Sequence, residues 1–144
     1  MRRPHPVRSL LTCALAATVA AGGCGPESQT STLSDTVSVY SAQPLQGPGA
    51  QRSRDVVDGE KLALAQARGE VGDFSVNFRS LDDSDPEAGG WEREATVDAA
   101  RIAAQDRNTI AYLGDFESEA TALSLPVLNA AGVTQASPGA TYGA

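Results

Sequence analysis

The sequence predicts an α/β fold built on a doubly wound parallel sheet. Three observations predict it. From Thr36 onward, short apolar segments alternate with longer segments of helical period. Thr109–Gly114 (TIAYLG) is a continuous apolar run, as a buried parallel strand requires. Glycine and proline cluster at the joints between segments.

Thr36–Ala42 (TVSVYSA) alternates, with Val37, Val39 and Ser41 on one face, and reads as the first strand. Gln43–Ala50 follows as a loop marked by Pro44, Gly47, Pro48 and Gly49. Gln51–Arg68 reads as a helix whose apolar stripe draws on Val56, Val57, Leu62, Ala63, Leu64 and Ala67, with Gly69 as its stop. Phe74–Ser80 is the second strand, with Phe74, Val76 and Phe78 on one face, and Leu81–Gly90 is an acidic loop. Trp91–Gln105 is the second helix, with Ala95, Ala99, Ile102 and Ala103 inward. After the strand at 109–114, Glu117–Ala131 reads as a third helix kinked at Pro126 and capped at Gly132. Val133–Ala136 is a short fourth strand entering Ser137-Pro138-Gly139. In such sheets ligands sit beyond the carboxyl ends of the strands, which here means loops 43–50, 81–90, 114–118 and 137–142. The chain stops where a further helix is expected to cover the fourth strand, so it reads as a truncated product or fragment.

The start of the chain has a different logic. Arg2, Arg3 and Arg8 precede the uncharged run Ser9–Ala21 (SLLTCALAATVAA), and Ala21-Gly22-Gly23-Cys24 follows. This is the order of a secretory signal. The run is shorter than the roughly 20 apolar residues of a membrane span. Residues 1–23 therefore read as a signal, and residues 24–35 as a polar tether. The cysteine directly after small residues resembles a bacterial lipoprotein signal, which implies lipidation at Cys24 and a lipid-anchored protein on the extracytoplasmic face. A plain secreted protein and an amphipathic cytoplasmic arm are the alternatives.

Composition removes several function classes. The 144-residue chain carries 11 basic and 18 acidic residues, a formal charge of −7. Three of the arginines and the only histidine, His5, lie in the signal, so the remainder is more acidic still. No basic patch suited to nucleic acid is visible. Cys13 and Cys24 are the only cysteines, and neither is left for a disulfide or a cysteine metal site. Without a mature histidine or cysteine, Ser–His–Asp and Cys–His chemistry is excluded for this chain alone. No GxGxxG follows the first strand and no GxSxG elbow occurs, so the residue inventory argues against an enzyme and no cofactor is expected.

Gly47-Pro48-Gly49-Ala50, Asp58-Gly59, Asp82-Asp83-Ser84-Asp85-Pro86, Ile110-Ala111-Tyr112-Leu113-Gly114, Ser118, and Gly132-Val133 leading into Ser137-Pro138-Gly139-Ala140-Thr141 occur in one register. Over residues 36–144 this order resembles the amino-terminal lobe of type I periplasmic binding proteins, specifically the branched-chain amino acid (leucine/isoleucine/valine) binding proteins of ABC importers. The resemblance implies a receptor that closes two lobes on a small solute and delivers it to ABC permease subunits. It implies that Ser118, with Gly139, Ala140 and Thr141, binds the carboxylate and ammonium groups of an amino acid. Where the family often carries an aromatic after the Gly-Pro loop, this chain has Arg52, which suits a more acidic or polar solute than a branched aliphatic one. A sensing module of the same fold, uncoupled from transport, is the first alternative function, and an enzyme on the same α/β fold the second.

Each of these residues also has a plainer reading. Ser118 can be an N-cap alone, Thr141 a turn residue, and Arg52 a surface charge. Asp82, Asp83 and Asp85 invite a calcium reading, but the twelfth position of an EF-hand loop falls on Arg93 rather than on a glutamate, so a solvated acidic loop is expected and no metal. Trp91 is expected as a cover on the sheet.

Overall fold

A computed structural model describes residues 35–141. The signal, Cys24 and the tether up to residue 34 lie outside the described residues, as do 142–144. The elements are β1 (Thr36–Gln43), α1 (Ala50–Gln66), β2 (Glu70–Val71), β3 (Phe74–Asp82), β4 (Ser84–Asp85), β5 (Gly90–Trp91), α2 (Arg93–Gln105), β6 (Thr109–Leu113), α3 (Ser118–Ala130) and β7 (Thr134–Ala136). The main sheet has the order β2-β3-β1-β6-β7, with β3, β1, β6 and β7 parallel and β2 antiparallel at the edge.

The chain runs from β1 to its neighbour β3 on one side, then returns past β1 to β6 and β7 on the other. Right-handed crossovers that reverse direction put their helices on opposite faces. Accordingly α2 and α3 cover the face carrying Tyr40, Ala42 and Tyr112, whereas α1 faces Val39, Val76 and Phe78. The reversal point lies between β1 and β6.

The α2–α3 face holds the core: Tyr40, Ala42, Ala99, Ala100, Ala103, Tyr112 and Leu128, with Leu81, Val127 and Val133 packed against it. Alanines let the helix backbones come close, and both buried tyrosines keep their hydroxyls paired. Tyr40 donates to Asp106 Oδ2 at 3.0 Å and Tyr112 to Asp115 Oδ1 at 2.8 Å.

The α1 face is packed differently. Only Ala50, Ser53 and Val57 of α1 are buried. Between its second half and the sheet lies a cavity of about 250 Å³, lined by Val39, Leu64, Val76, Phe78, Ile110 and Leu113 among others. A register shift between Ser38 and Val39 faces this point of β6, and Ile110 turns toward the cavity.

Several sequence expectations need correction. Leu62, expected in the inner stripe of α1, is 59% exposed, and Ile102 of α2 is 43% exposed. Thr96 and Ala100 are buried in its helix instead. Their small size suits the close approach of α2 to α3. The stop of α1 falls one residue early: Arg68 takes the left-handed conformation (φ 58°), and Gly69 N–H closes onto Leu64 O at 2.9 Å. Helix α3 continues through Pro126. Pro126 and Ala122, whose carbonyl loses its usual donor, are both exposed, so water can serve that carbonyl. Gly132 (φ 72°) then ends α3, with Val133 N–H bonded to Leu128 O.

Two hairpins were not expected. Gly72-Asp73 turns β2 into β3, a two-residue glycine turn of the kind hairpins favour. The acidic loop contains β4 and β5, whose turn is held by Asp85: its Oδ1 accepts from the N–H of Glu87 and Ala88 at 2.9 and 3.0 Å. Trp91 is a half-buried member of this small hairpin, paired with Ser84, rather than a cover on the main sheet.

Candidate ligand site at the sheet reversal

The carboxyl ends of β1, β3, β6 and β7 feed loops 44–49, 83–90, 114–117 and 137–141. A cavity of about 340 Å³ opens among the first three, lined by Pro44, Pro48, Gly49, Arg52, Ser53, Gly89, Gly90, Phe116 and Glu117 with Gln51. It therefore sits at the reversal point between β1 and β6, where open α/β sheets hold ligands. Its volume suits a small solute.

The wall of the cavity depends on two glycines. A Cβ on Gly47 would lie 2.5 Å from Gly89 Cα, and one on Gly89 would lie 2.4 Å from Pro48 Cδ. The two loops meet backbone to backbone, and both glycines have positive φ. Asp82 fastens the pair: it accepts from Leu45 N–H at 3.0 Å, Gln46 Nε2 at 2.7 Å and Ser84 N–H at 3.0 Å. Partial burial pushes the pKa of this carboxyl up, but these hydrogen bonds outweigh burial and hold it below its ordinary range. The three aspartates of the acidic segment thus have separate tasks: Asp82 ties loops, Asp83 is buried beneath the site, and Asp85 makes a turn.

Arg52 lies in the first turn of α1, with its guanidinium 5.7 Å from the centroid of the Phe116 ring. Glu117 is the N-cap residue of α3, but its side chain makes no cap hydrogen bond. One of its carboxylate oxygens is buried with no partner. Desolvation is the main cause that raises the Glu117 carboxyl above its ordinary value; Asp115 adds to it and Arg52 opposes it.

Ser118 is the first helical residue of α3, not its cap. Its Oγ accepts the N–H of Thr141 at 3.0 Å. Ser137 Oγ accepts from Gly139 N–H at 3.3 Å and Ala140 N–H at 2.8 Å, and itself donates to Asp115 O. A Cβ on Gly139 would lie 2.5 Å from Phe116 O, so only glycine fits this approach. The structure thus brings Ser118, Gly139, Ala140 and Thr141 together against the Phe116–Ser118 segment, whose other side carries Arg52. The N–H groups of Gly139 and Ala140 are occupied by Ser137, which leaves the Ser118 and Thr141 hydroxyls as the polar donors of that loop.

Beneath the site lies a buried acid pair that sequence reasoning did not single out. Asp83 and Asp115 are both fully buried. Asp115 accepts from Tyr112 and Ser124, and Gln135 Nε2 donates to Ser124 Oγ at 2.7 Å. Asp83 Oδ2 accepts from Thr96 at 3.3 Å, and its Oδ1 has no partner. Burial first, and the Asp115 carboxylate second, push the Asp83 carboxyl up to about 7. Burial also raises Asp115, against the hydrogen bonds it accepts. Phe116 and Glu117 were missed too. The available signal was their place in loop 114–118, already assigned to the ligand edge.

No protein-family model matches the sequence, and no curated protein matches it significantly. Solved structures do. A protein described as a branched-chain amino acid ABC transporter from Rhodospirillum rubrum superposes with a TM-score of 0.64 at 25% identity, covering 74% of this chain and 30% of that one. The branched-chain amino acid transporter substrate-binding protein LivJ of Streptococcus pneumoniae, in complex with isoleucine, gives 0.64 at 21% identity over 74% and 30%. An ABC transporter solute-binding protein of Rhodopseudomonas palustris BisB5, in complex with 3,4-dihydroxybenzoic acid, gives 0.64 at 18% identity over 74% and 28%. The chain spans less than a third of the length of these proteins. Over the described residues it has the fold of a type I periplasmic binding protein lobe, similar to the branched-chain amino acid substrate-binding proteins of ABC transporters.

Proposed function

We propose that this chain is the solute-binding component of an ABC importer, taking an amino acid or similar small polar solute on the extracytoplasmic face. The observation that carries the reading is the position of the Arg52–Phe116–Glu117 cavity, at the sheet reversal and beside the Ser118–Thr141 contact. In this reading Arg52, Ser118 and Thr141 hold the polar groups of the solute, Gly139 and Ala140 shape the loop that carries Thr141, and Phe116 packs on the body of the solute. The similar solved structures are transporter binding proteins, two of them holding isoleucine or a dihydroxybenzoate, which supports a binding role over an enzymatic one.

The chain reaches the membrane through a lipid on Cys24, and its partners are the permease subunits of the importer. Among the described residues no helix is long and apolar enough to cross a membrane. Cys24→Ala is expected to release the protein from the membrane fraction of expressing cells. Unchanged membrane association would overturn the anchor.

Two-lobed closure buries most of a solute, whereas the described lobe offers one wall of the site. Titration calorimetry of the full chain with amino acids is therefore expected to give millimolar or weaker dissociation constants, about −4 kcal/mol. A micromolar value would show that this lobe completes the site unaided. No binding at any concentration would count against the solute-binding reading.

A further inference from the structure

Beneath the cavity lies an acid with no cation to balance it. Asp83 is fully buried at the root of the β4–β5 hairpin, which brings Gly89 and Gly90 to the cavity wall. Both legs of the hairpin are fixed through this one residue. Its N–H donates to Gln43 O at 3.3 Å, and its carbonyl accepts from Glu92 N–H, just past β5, at 2.7 Å. Its Oδ2 accepts from Thr96 of α2 at 3.3 Å. Around it stand Gln43 of β1, Tyr112 of β6, Asp115 of the 114–117 loop and Glu117 at the start of α3. The charges that act on Asp83 are the acids Asp115 and Glu117, while Arg52 acts on Glu117. Donors are scarce as well. Asp115 takes the Tyr112 and Ser124 hydroxyls. Asp83 Oδ1, Gln43 Oε1, Glu117 Oε2 and Gln135 Oε1 are buried acceptors without a donor. A second ionised carboxylate in these surroundings is costly. A proton on Asp83 removes that charge and turns one acceptor into a donor.

We propose that protonation of Asp83 is a latch on the cavity wall: with the proton in place the β4–β5 hairpin lies closed against Pro48, and when the proton leaves to solvent the hairpin lifts to let water reach the carboxylate. The pivot is Asp82. Its hydrogen bonds to Leu45, Gln46 and Ser84 hold its own carboxyl below the ordinary range, so it stays ionised and keeps its ties. What parts is the Glu92–Asp83 bond and the seat of Gly89 on Pro48, and the cavity widens. Burial and the Asp115 carboxylate hold the closed form's proton up to about 7. In the open form, water returns the carboxyl toward its ordinary value. The closed form therefore dominates at acid pH and gives way as the pH rises toward 7. The latch acts on the wall itself and does not depend on which solute the cavity takes.

Trp91, the only tryptophan of the chain, is half-buried in β5 and reports on the hairpin directly. The test follows its fluorescence emission and its quenching by acrylamide in the full chain between pH 5 and pH 8. Far-ultraviolet circular dichroism is recorded in parallel, with no solute present. One linked proton changes the open-to-closed ratio by up to about tenfold per pH unit. The expected result is a red shift and stronger quenching as the pH rises, with the helix signal unchanged. Asp83→Asn, neutral at every pH, should show neither. Asp115→Asn, which removes a charge that raises the Asp83 carboxyl, should shrink the change. Flat emission and quenching across the range overturn the latch, as does the same change in Asp83→Asn. A change that comes only with loss of the helix signal is global unfolding and overturns it too. None of these results touches the solute-binding reading, which the calorimetry above tests separately. The profile of the native chain decides the matter even if neither variant folds.

Discussion

The two faces of one sheet are packed to different standards. On the α2–α3 face, Ala99, Ala100 and Ala103 are buried, and Tyr40, Tyr112 and Leu128 fill the space between helices and strands. On the α1 face, larger side chains leave a 250 Å³ gap, with Leu62 59% and Ile110 44% exposed. Apolar content alone therefore does not produce a close-packed layer. Small residues at the contact let α2 and α3 approach each other, whereas only Ala50, Ser53 and Val57, all in the first half of α1, are buried in that helix. The tight face also raises the cost of charge: Asp83 and Asp115 lie fully buried at its carboxyl end.

The largest break in this comparison comes from removing a side chain on the tight face. Leu128→Ala is expected to cost about 2–5 kcal/mol, since fully buried Leu128 leaves a cavity its neighbours cannot close. Urea denaturation checks this. Leu64→Ala, which only enlarges an existing gap, should cost clearly less.

The next largest effect concerns the acid pair. Folding holds the Asp83 carboxyl near 7, well above the unfolded value near 4. The stability contributed by its protonated form is fully present below pH 4 and is lost as pH rises through about 7, by at most about 4 kcal/mol. Asp83→Asn should remove that slope and be more stable than the native chain at pH 8. Melting temperatures of both proteins between pH 4 and pH 8 would show it, and parallel profiles would contradict it.

A smaller and sharper contrast uses one substitution twice. Ala103→Leu overfills the closed face and should cost about 1–3 kcal/mol. Ala63→Leu points a larger side chain at the α1 gap and should stay within about 0.5 kcal/mol of neutral or stabilise slightly. Equal losses in the two melts would mean that the faces do not differ as described.

Much of the site was legible because strand ends are legible. Once β1, β3, β6 and β7 are placed, the loops at 43–50, 114–118 and 137–142 must share one edge, whereas Arg52, Ser118 and Gly139–Thr141 were singled out by the family resemblance. Glu117 and Phe116 were not singled out, because nothing local distinguishes a glutamate that caps with its backbone from one that faces a cavity. The Gly139 and Ala140 donors were read as ligand groups, yet Ser137 takes them, a competition that only the folded turn reveals. The calcium reading of the acidic segment failed by spacing alone, and the folded loop adds what the carboxylates do instead: tie, bury and turn.

The sequence by itself determined the alternation of strands and helices, hence the parallel sheet and the edge on which a ligand site must lie, because periodicity and turn chemistry are local properties. Only the tertiary structure decided which apolar residues are buried, that Leu62 and Ile102 are not, that the Asp115 carboxylate is near enough to perturb buried Asp83, and that Arg52 and Glu117 line one cavity. Those outcomes depend on how closely segments far apart in the chain approach, and that distance is set by the side chains of every packed element at once.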